Sequence, residues 1–228
     1  MEPTTGRDVA SYIDHTLLRP DASRDEILKV CGEAMDHGFK AVCVNPIWVT
    51  TVKRALAGSG VLTCSVVGFP FGASTTASKA FEAADAVANG ADEIDMVIDI
   101  AAARRGDRAA LERDIAGVAA AVHAGGAILK VIIETSLLDE HTKALACEAA
   151  AAAGADFVKT STGFAGGGAT VADIALMRLT VGPKMGVKAS GGVRTLADAL
   201  ALIKAGATRL GASSGVAIVG GEQGTTGY

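Results

Sequence analysis

The sequence is poor in aromatic residues, which fill 4% of its 228 positions. Its helices must therefore pack through Ala, Leu, Val and Ile. Cysteine occurs four times, at Cys31, Cys43, Cys64 and Cys147, with no CxxC spacing and no Cys/His cluster. That argues against a zinc site or a disulfide frame and for reduced thiols in a cytoplasmic protein. There is no basic block, and the formal net charge is −4, so no footprint for nucleic acid or an anionic membrane is present. No uninterrupted apolar run reaches about 18 residues, so no membrane span is expected. Met1 to Ala10 is polar, so no secretory signal is expected either.

What is present is a weak repeat. Helix-like segments end in glycine and a short apolar strand follows, as at His37-Gly38-Phe39, Asn89-Gly90-Ala91, Ala153-Gly154-Ala155 and Ala205-Gly206-Ala207. Glycine just past a helix end is the left-handed cap signal. The strands are near-continuous apolar runs, as expected for a parallel sheet covered on both faces. Eight are expected: Tyr12–Thr16, Ala41–Asn45, Leu62–Gly68, Glu93–Ile98, Leu129–Glu134, Phe157–Ser161, Val187–Ser190 and Arg209–Ser213. Helical segments are expected between them: Ser23–Asp36, Pro46–Ala57, Ser74–Asn89, Arg108–His123, Glu140–Ala153, Val171–Val181 and Leu196–Ala205. This alternation predicts a single α/β domain over residues 1–228, a (β/α)8 TIM barrel. The rival, an open doubly wound sheet, usually shows a Gly-rich fingerprint after its first strand, and Asp14-His15-Thr16-Leu17-Leu18 has none. The glycine-rich segment 220–228 reads as a mobile tail.

Ionisable residues interrupt these apolar strands: Asp14 in the first, Asp95 in the fourth, Lys130 in the fifth, Lys159 in the sixth and Lys188 in the seventh. Charge inside a core strand is unfavourable unless it is paired or neutralised. Barrel strands lie side by side in chain order. Lys130, Lys159 and Lys188 then come from three consecutive strands, with Asp95 adjoining Lys130. If all point inward, they form one cluster near the C-terminal mouth, where barrel enzymes do their chemistry. Burial and a second ammonium both disfavour a charged lysine and leave some free amine near neutral pH. That is the equipment for Schiff-base chemistry on a carbonyl. The alternative is a buried ion network with no catalytic task. Cys43 reads as a packed small hydrophobe, His15 as pointing away from the barrel axis, and Trp48 as a packing residue.

Two glycine-bearing turns follow the last two strands. Ser190-Gly191-Gly192-Val193-Arg194-Thr195 follows the seventh, and Gly211-Ala212-Ser213-Ser214-Gly215 closes the eighth. Barrels commonly hold phosphate in these two loops. Glycine lets backbone amides approach the oxygens, and a following helix N-terminus favours an anion. Gly163, Gly191, Gly192, Ser213 and Ser214 are therefore candidate phosphate donors, with Thr162 beside them.

These stretches resemble the deoxyribose-phosphate aldolases, a family of class I aldolases, over nearly the whole chain. The likeness is carried by Ile13-Asp14-His15-Thr16-Leu17-Leu18, Val42-Cys43-Val44-Asn45-Pro46, Val67-Gly68-Phe69-Pro70-Phe71-Gly72 and Asp92-Glu93-Ile94-Asp95-Met96-Val97. It continues in Leu129-Lys130-Val131-Ile132-Ile133-Glu134-Thr135, Val158-Lys159-Thr160-Ser161-Thr162-Gly163, Val187-Lys188-Ala189-Ser190-Gly191-Gly192-Val193-Arg194 and Arg209-Leu210-Gly211-Ala212-Ser213-Ser214. The resemblance implies reversible cleavage of 2-deoxy-D-ribose 5-phosphate to D-glyceraldehyde 3-phosphate and acetaldehyde, with no metal or other cofactor. It implies Lys159 as the Schiff-base lysine and Lys188 as the second lysine that loosens its proton and takes part in proton transfer. Asp95 would relay protons through water, with Asp14, Lys130 and Cys43 in support. Tyr228, at the end of the glycine-rich tail, would aid proton exchange at the enamine carbon. Many relatives carry a lysine after Ser-Thr-Gly where this chain has Phe164, which removes one phosphate cation. Two other readings share parts of the pattern: a transaldolase-like or other Schiff-base lyase, and a non-catalytic sugar-phosphate-binding barrel. The expected partners are small sugar phosphates and aldehydes, and the Ala-rich helix faces suit either the barrel's own packing or the contact of a homodimer or higher homo-oligomer.

Overall fold

The computed structural model describes residues 3–224. Eight parallel strands close into a barrel in chain order, and the last pairs with the first. They are β1 (Ile13–Leu17), β2 (Ala41–Val44), β3 (Leu62–Val67), β4 (Glu93–Val97), β5 (Ile128–Ile132), β6 (Phe157–Lys159), β7 (Gly186–Ser190) and β8 (Arg209–Ala212). Most of the strand residues are buried, which is why each strand reads as an apolar run rather than an alternating one. Around the barrel stand α1 (Gly6–Ala10), α2 (Arg24–His37), α3 (Val49–Ala55), α4 (Thr76–Ala88), α5 (Ile100–Arg104), α6 (Arg108–Ala124), α7 (Glu140–Ala152), α8 (Val171–Val181), α9 (Leu196–Lys204) and α10 (Gly215–Gly220). Local signals set the helix ends. Ser23 and Thr195 each make a capping box with an acidic side chain three residues on. Gly38, at φ 67°, closes α2 in the left-handed region. Among the described residues, no helix is long and apolar enough to cross a membrane.

The main apolar core lies between the barrel and its helices. A smaller apolar group, Leu18, Ala41, Cys43, Cys64 and Val66, lies together on the β1–β3 side. One charged pair is also sealed away. Lys79 of α4 is wholly buried, and its Nζ lies 2.6 Å from Asp114 of α6. Thr76 Oγ1 donates to the other oxygen of Asp114 at 2.9 Å, so the carboxylate is held at both ends.

The structure departs from the sequence expectations in four places. β5 stops at Ile132 and β6 at Lys159, each two residues early. Glu134 turns the chain out of β5 by taking φ 55°, and a 3-10 turn over Thr135–Leu137 follows. The segment after β2 splits into a 3-10 turn, Pro46–Trp48, and α3. Three short helices, α1, α5 and α10, have no counterpart in the periodicity, since five or six residues are too few to show one. The tail expected to be mobile from Gly220 is held as far as Gly224. Gly221 caps α10 in the left-handed region, Glu222 N–H donates to Ala217 at 2.8 Å, and Gly224 N–H donates to the Arg194 carbonyl at 2.9 Å.

Candidate active site

Alternate residues of a strand share a face, so register and burial give the barrel interior in layers. The even strands contribute Ala41, Glu93, Phe157 and Arg209. Above them the odd strands contribute Asp14, Cys64, Lys130 and Lys188. The even strands return with Cys43, Asp95, Lys159 and Gly211, nearer the mouth than either. Layers usually filled by branched aliphatics are here largely ionic.

The five charged residues expected from the sequence do converge. Asp95 Oδ2 accepts from Lys159 Nζ at 2.7 Å and from Lys188 Nζ at 2.8 Å. Its Oδ1 accepts from Lys130 Nζ at 2.8 Å and from the Cys64 thiol at 3.3 Å. Asp14 Oδ2 lies 2.5 Å from Lys188 Nζ. Lys159 and Lys188 are register partners on adjacent strands, which brings their side chains together over one carboxylate. Cys43 is buried beside the cluster from β2. The ligand atoms of Cys43, Cys64 and Asp95 lie within 4.8 Å of one another, close enough to share a cation. Lys130 Nζ lies against two of them, 3.4 Å from Cys64 Sγ and 2.8 Å from Asp95 Oδ1. His15 faces the other way, with Nε2 2.6 Å from Glu33 of α2.

Two further charges belong to this interior and were not expected. Arg209 Nη1 lies 2.7 Å from Asp14 Oδ1 and 2.8 Å from Glu93 Oε2. Lys130 Nζ lies 2.5 Å from the same Glu93 oxygen. The Arg209 guanidinium also stands over the Phe157 ring, 5.4 Å from its centroid. Both residues open their strands beside a loop, where charge ordinarily faces water. The signal that could have found Glu93 was its spacing, because it shares a strand face with Asp95.

The electrostatics follow from this crowding. Burial alone would raise the Asp14 carboxyl, but Lys188, Arg209 and Lys130 outweigh it and hold it at about 2. Burial would raise Asp95 too, and Lys130, Lys159 and Lys188 hold it well below the usual carboxylate range. Burial works against charge on Lys130 and Lys188, yet the surrounding carboxylates raise both. Cys64 is pushed well up by burial, and its hydrogen bond to Cys43 lowers the Cys43 thiol.

Above the cluster the mouth divides into two halves. Loops after β6, β7 and β8 enclose a cavity of about 360 Å³ lined by Gly163, Gly166, Gly191, Gly192, Arg194 and Ser213, among others. It brings together four of the five candidate phosphate donors. Ser214 instead lines the neighbouring cavity over β1 and α2. Arg194 adds a cation that the sequence reading did not single out. Loops after β3 to β6 enclose an apolar cavity of about 390 Å³ with Phe71, Ile100, Leu137 and Phe164 in its walls. Phe164 is turned to this apolar half and meets the edge of Phe69 at 5.3 Å between centroids. Glu134, buried between β5 and β6, anchors this rim by accepting from Thr162 Oγ1 at 2.5 Å and from its N–H at 3.2 Å. Tyr228 lies outside the described residues.

The likeness to known proteins agrees with this geometry. A sequence profile described as DeoC/LacD family aldolase matches residues 9–220. A deoxyribose-phosphate aldolase of Micrococcus luteus is 58% identical over 224 residues, spanning 96% of this chain and 98% of that one. One from Streptococcus gordonii is 59% identical, spanning 95% and 98%. The structure of a tetrameric deoxyribose phosphate aldolase from Aeropyrum pernix superposes with a TM-score of 0.89 at 35% identity, covering 95% of this chain and 91% of that one. Relatives this similar over nearly full length carry the same enzyme class, and the chain belongs to the DeoC/LacD family of aldolases.

Proposed function

We propose that this aldolase cleaves and re-forms the C2–C3 bond of 2-deoxy-D-ribose 5-phosphate through an imine on Lys159. The observation that carries the reading is the contrast among three neighbouring lysines. Lys130 and Lys188 are sealed at 0% exposure, each between two or more carboxylates, whereas Lys159 keeps 3% and meets one carboxylate. It is the lysine a substrate can reach and the one least tied to a counter-charge. The names of the relatives at 58% and 59% identity supply the substrate.

The chemistry then follows. The uncharged Nζ of Lys159 attacks the C1 aldehyde, and the carbinolamine loses water to an iminium. A base removes the C3 hydroxyl proton, the C2–C3 electrons move into the iminium, and D-glyceraldehyde 3-phosphate leaves. An enamine remains on Lys159. Protonation at carbon and hydrolysis by water release acetaldehyde and restore the amine. Asp95, between Lys159 and Lys188, anchors the water that carries protons, and Lys188 supplies and retrieves them. Asp14, Lys130 and Cys43 fix this arrangement from the strands around it. The glycine-lined half of the mouth takes the phosphate on the amides of Gly163, Gly191 and Gly192, with Ser213 and the Arg194 cation. Arg194 supplies charge on the phosphate side, while Phe164 faces the apolar side.

The reading fits a cytoplasmic enzyme with reduced thiols that assembles from copies of itself, as the Aeropyrum pernix relative does. Borohydride reduction in the presence of acetaldehyde, followed by peptide mapping, tests the chemistry. A two-carbon adduct on Lys159 is expected. Trapping of dihydroxyacetone with none of acetaldehyde would assign the barrel to a transaldolase-like reaction instead.

A further inference from the structure

Among the described residues, the interior of the barrel holds four basic side chains, Lys130, Lys159, Lys188 and Arg209, against three carboxylates, Asp14, Glu93 and Asp95. We propose that Arg209 and Glu93, which lie in a layer deeper than Lys159, set the protonation of Lys159 by setting this charge count. The inference rests on the reading of Lys159 as the imine-forming amine. It assigns two positioning residues to that site.

The argument begins with which group does without a proton. A buried charge lacking a counter-charge neutralises before one that has it. Arginine does not give up its proton in proteins. Arg209 also sits between Asp14 and Glu93. Lys188 sits between Asp14 and Asp95. Lys130 contacts Glu93 and Asp95, with Asp14 at 3.8 Å. Lys159 meets Asp95 alone, and Asp95 is already shared with Lys130 and Lys188. With three negative charges divided among four cations, Lys159 is the surplus one.

The groups that face it are supplied by the whole barrel. Asp14 comes from β1, Cys43 from β2, Cys64 from β3, Glu93 and Asp95 from β4, Lys130 from β5, Lys188 from β7 and Arg209 from β8. As thiols the two cysteines add nothing to the count. Arg209 therefore consumes counter-charge on Asp14 and Glu93 that would otherwise let every lysine stay protonated. Removing its charge leaves three cations for three carboxylates, and Lys159 keeps its proton to higher pH. Removing the charge of Glu93 leaves a surplus of two, and Lys159 releases its proton at lower pH. Removing both restores a surplus of one.

These opposite signs make the test. Arg209→Gln, Arg209→Lys, Glu93→Gln and the double Glu93→Gln/Arg209→Gln are purified as full chains, and folding is checked by circular dichroism and thermal melting. The borohydride-trapped acetaldehyde adduct on Lys159 is then quantified from about pH 5 to 10. Arg209→Gln is expected to move the midpoint of the acid limb up by about one pH unit, and Glu93→Gln to move it down. Arg209→Lys and the double variant are expected to return it to the wild-type position. A midpoint that does not move in the single variants, or that moves the same way in both, overturns the proposal even if the amount of adduct falls. If Arg209→Gln does not fold, Glu93→Gln decides alone: a lowered midpoint supports the proposal and an unmoved one overturns it. A wild-type chain with no adduct on Lys159 at any pH overturns the imine reading and this inference with it.

Discussion

Lys159 and Lys188 are one strand apart and in register, yet the interior depends on them differently. Lys188 closes the contact between Asp14 and Asp95, so Lys188→Met leaves Asp14 with Arg209 as its one hydrogen-bonded cation, while Asp95 keeps Lys130 and Lys159. Loss of one member of a buried pair costs about 3–5 kcal/mol. Lys159→Met removes the surplus cation, and Asp95 keeps Lys130 and Lys188. Its unfolding free energy should stay within about 1 kcal/mol of wild type, while turnover falls below detection. Urea denaturation and a cleavage assay on both variants check this, and equal destabilisation would contradict it. At this scale the sequence was legible where charge interrupts an apolar run, as at Lys130, Lys159 and Lys188. It was opaque at Glu93 and Arg209, which begin their strands, and at Lys79, which reads as a solvent-facing lysine on an Ala-rich helix. Nothing local distinguishes a lysine whose partner lies 35 residues away on another helix.

Helices and strands were readable by type because each carries its own signal: continuous apolar runs, serine or threonine caps, and glycine stops. Their ends were less so. β5 and β6 stop early because Glu134 leaves the strand and takes hold of Thr162, a contact across 28 residues that no window of sequence displays. The pairing of α4 with α6 has a similar origin. Lys79 and Thr76 of α4 both grip Asp114 of α6, a clasp between the two helices. Lys79→Met should lower stability by about 3–5 kcal/mol, because it leaves a buried carboxylate with only a hydroxyl. Lys79→Met combined with Asp114→Leu should recover most of the loss, since an apolar pair replaces an ionic one without stranding a charge. A double-mutant cycle by chemical denaturation reads the coupling.

For the molecule as a whole, the buried carboxylates and thiols define its range in pH. Asp14 titrates at about 2 in the folded chain, against 3.8 ordinarily. A lowered folded value stabilises above the unfolded pKa and is lost as pH falls through the folded one. Asp14 alone should therefore withdraw about 2 kcal/mol between roughly pH 4 and pH 2, with Asp95 adding in the same direction. Cys147 is the opposite case. Burial pushes its thiol up to about 12, so its contribution is present below the unfolded thiol value and lost as pH rises toward 12. Thermal melts across the pH range should show a plateau near neutrality with losses on both sides, and a peak at the sequence pI of about 5.6 would contradict it.

The ionic interior has one more consequence, and it concerns synthesis. Asp14 leaves a ribosome 174 and 195 positions ahead of Lys188 and Arg209, the side chains that hold it. Contacts so distant form late. A nascent chain must carry Asp14 in water until β7 and β8 arrive, so the ionic ring cannot assemble on a partial translation product that lacks them.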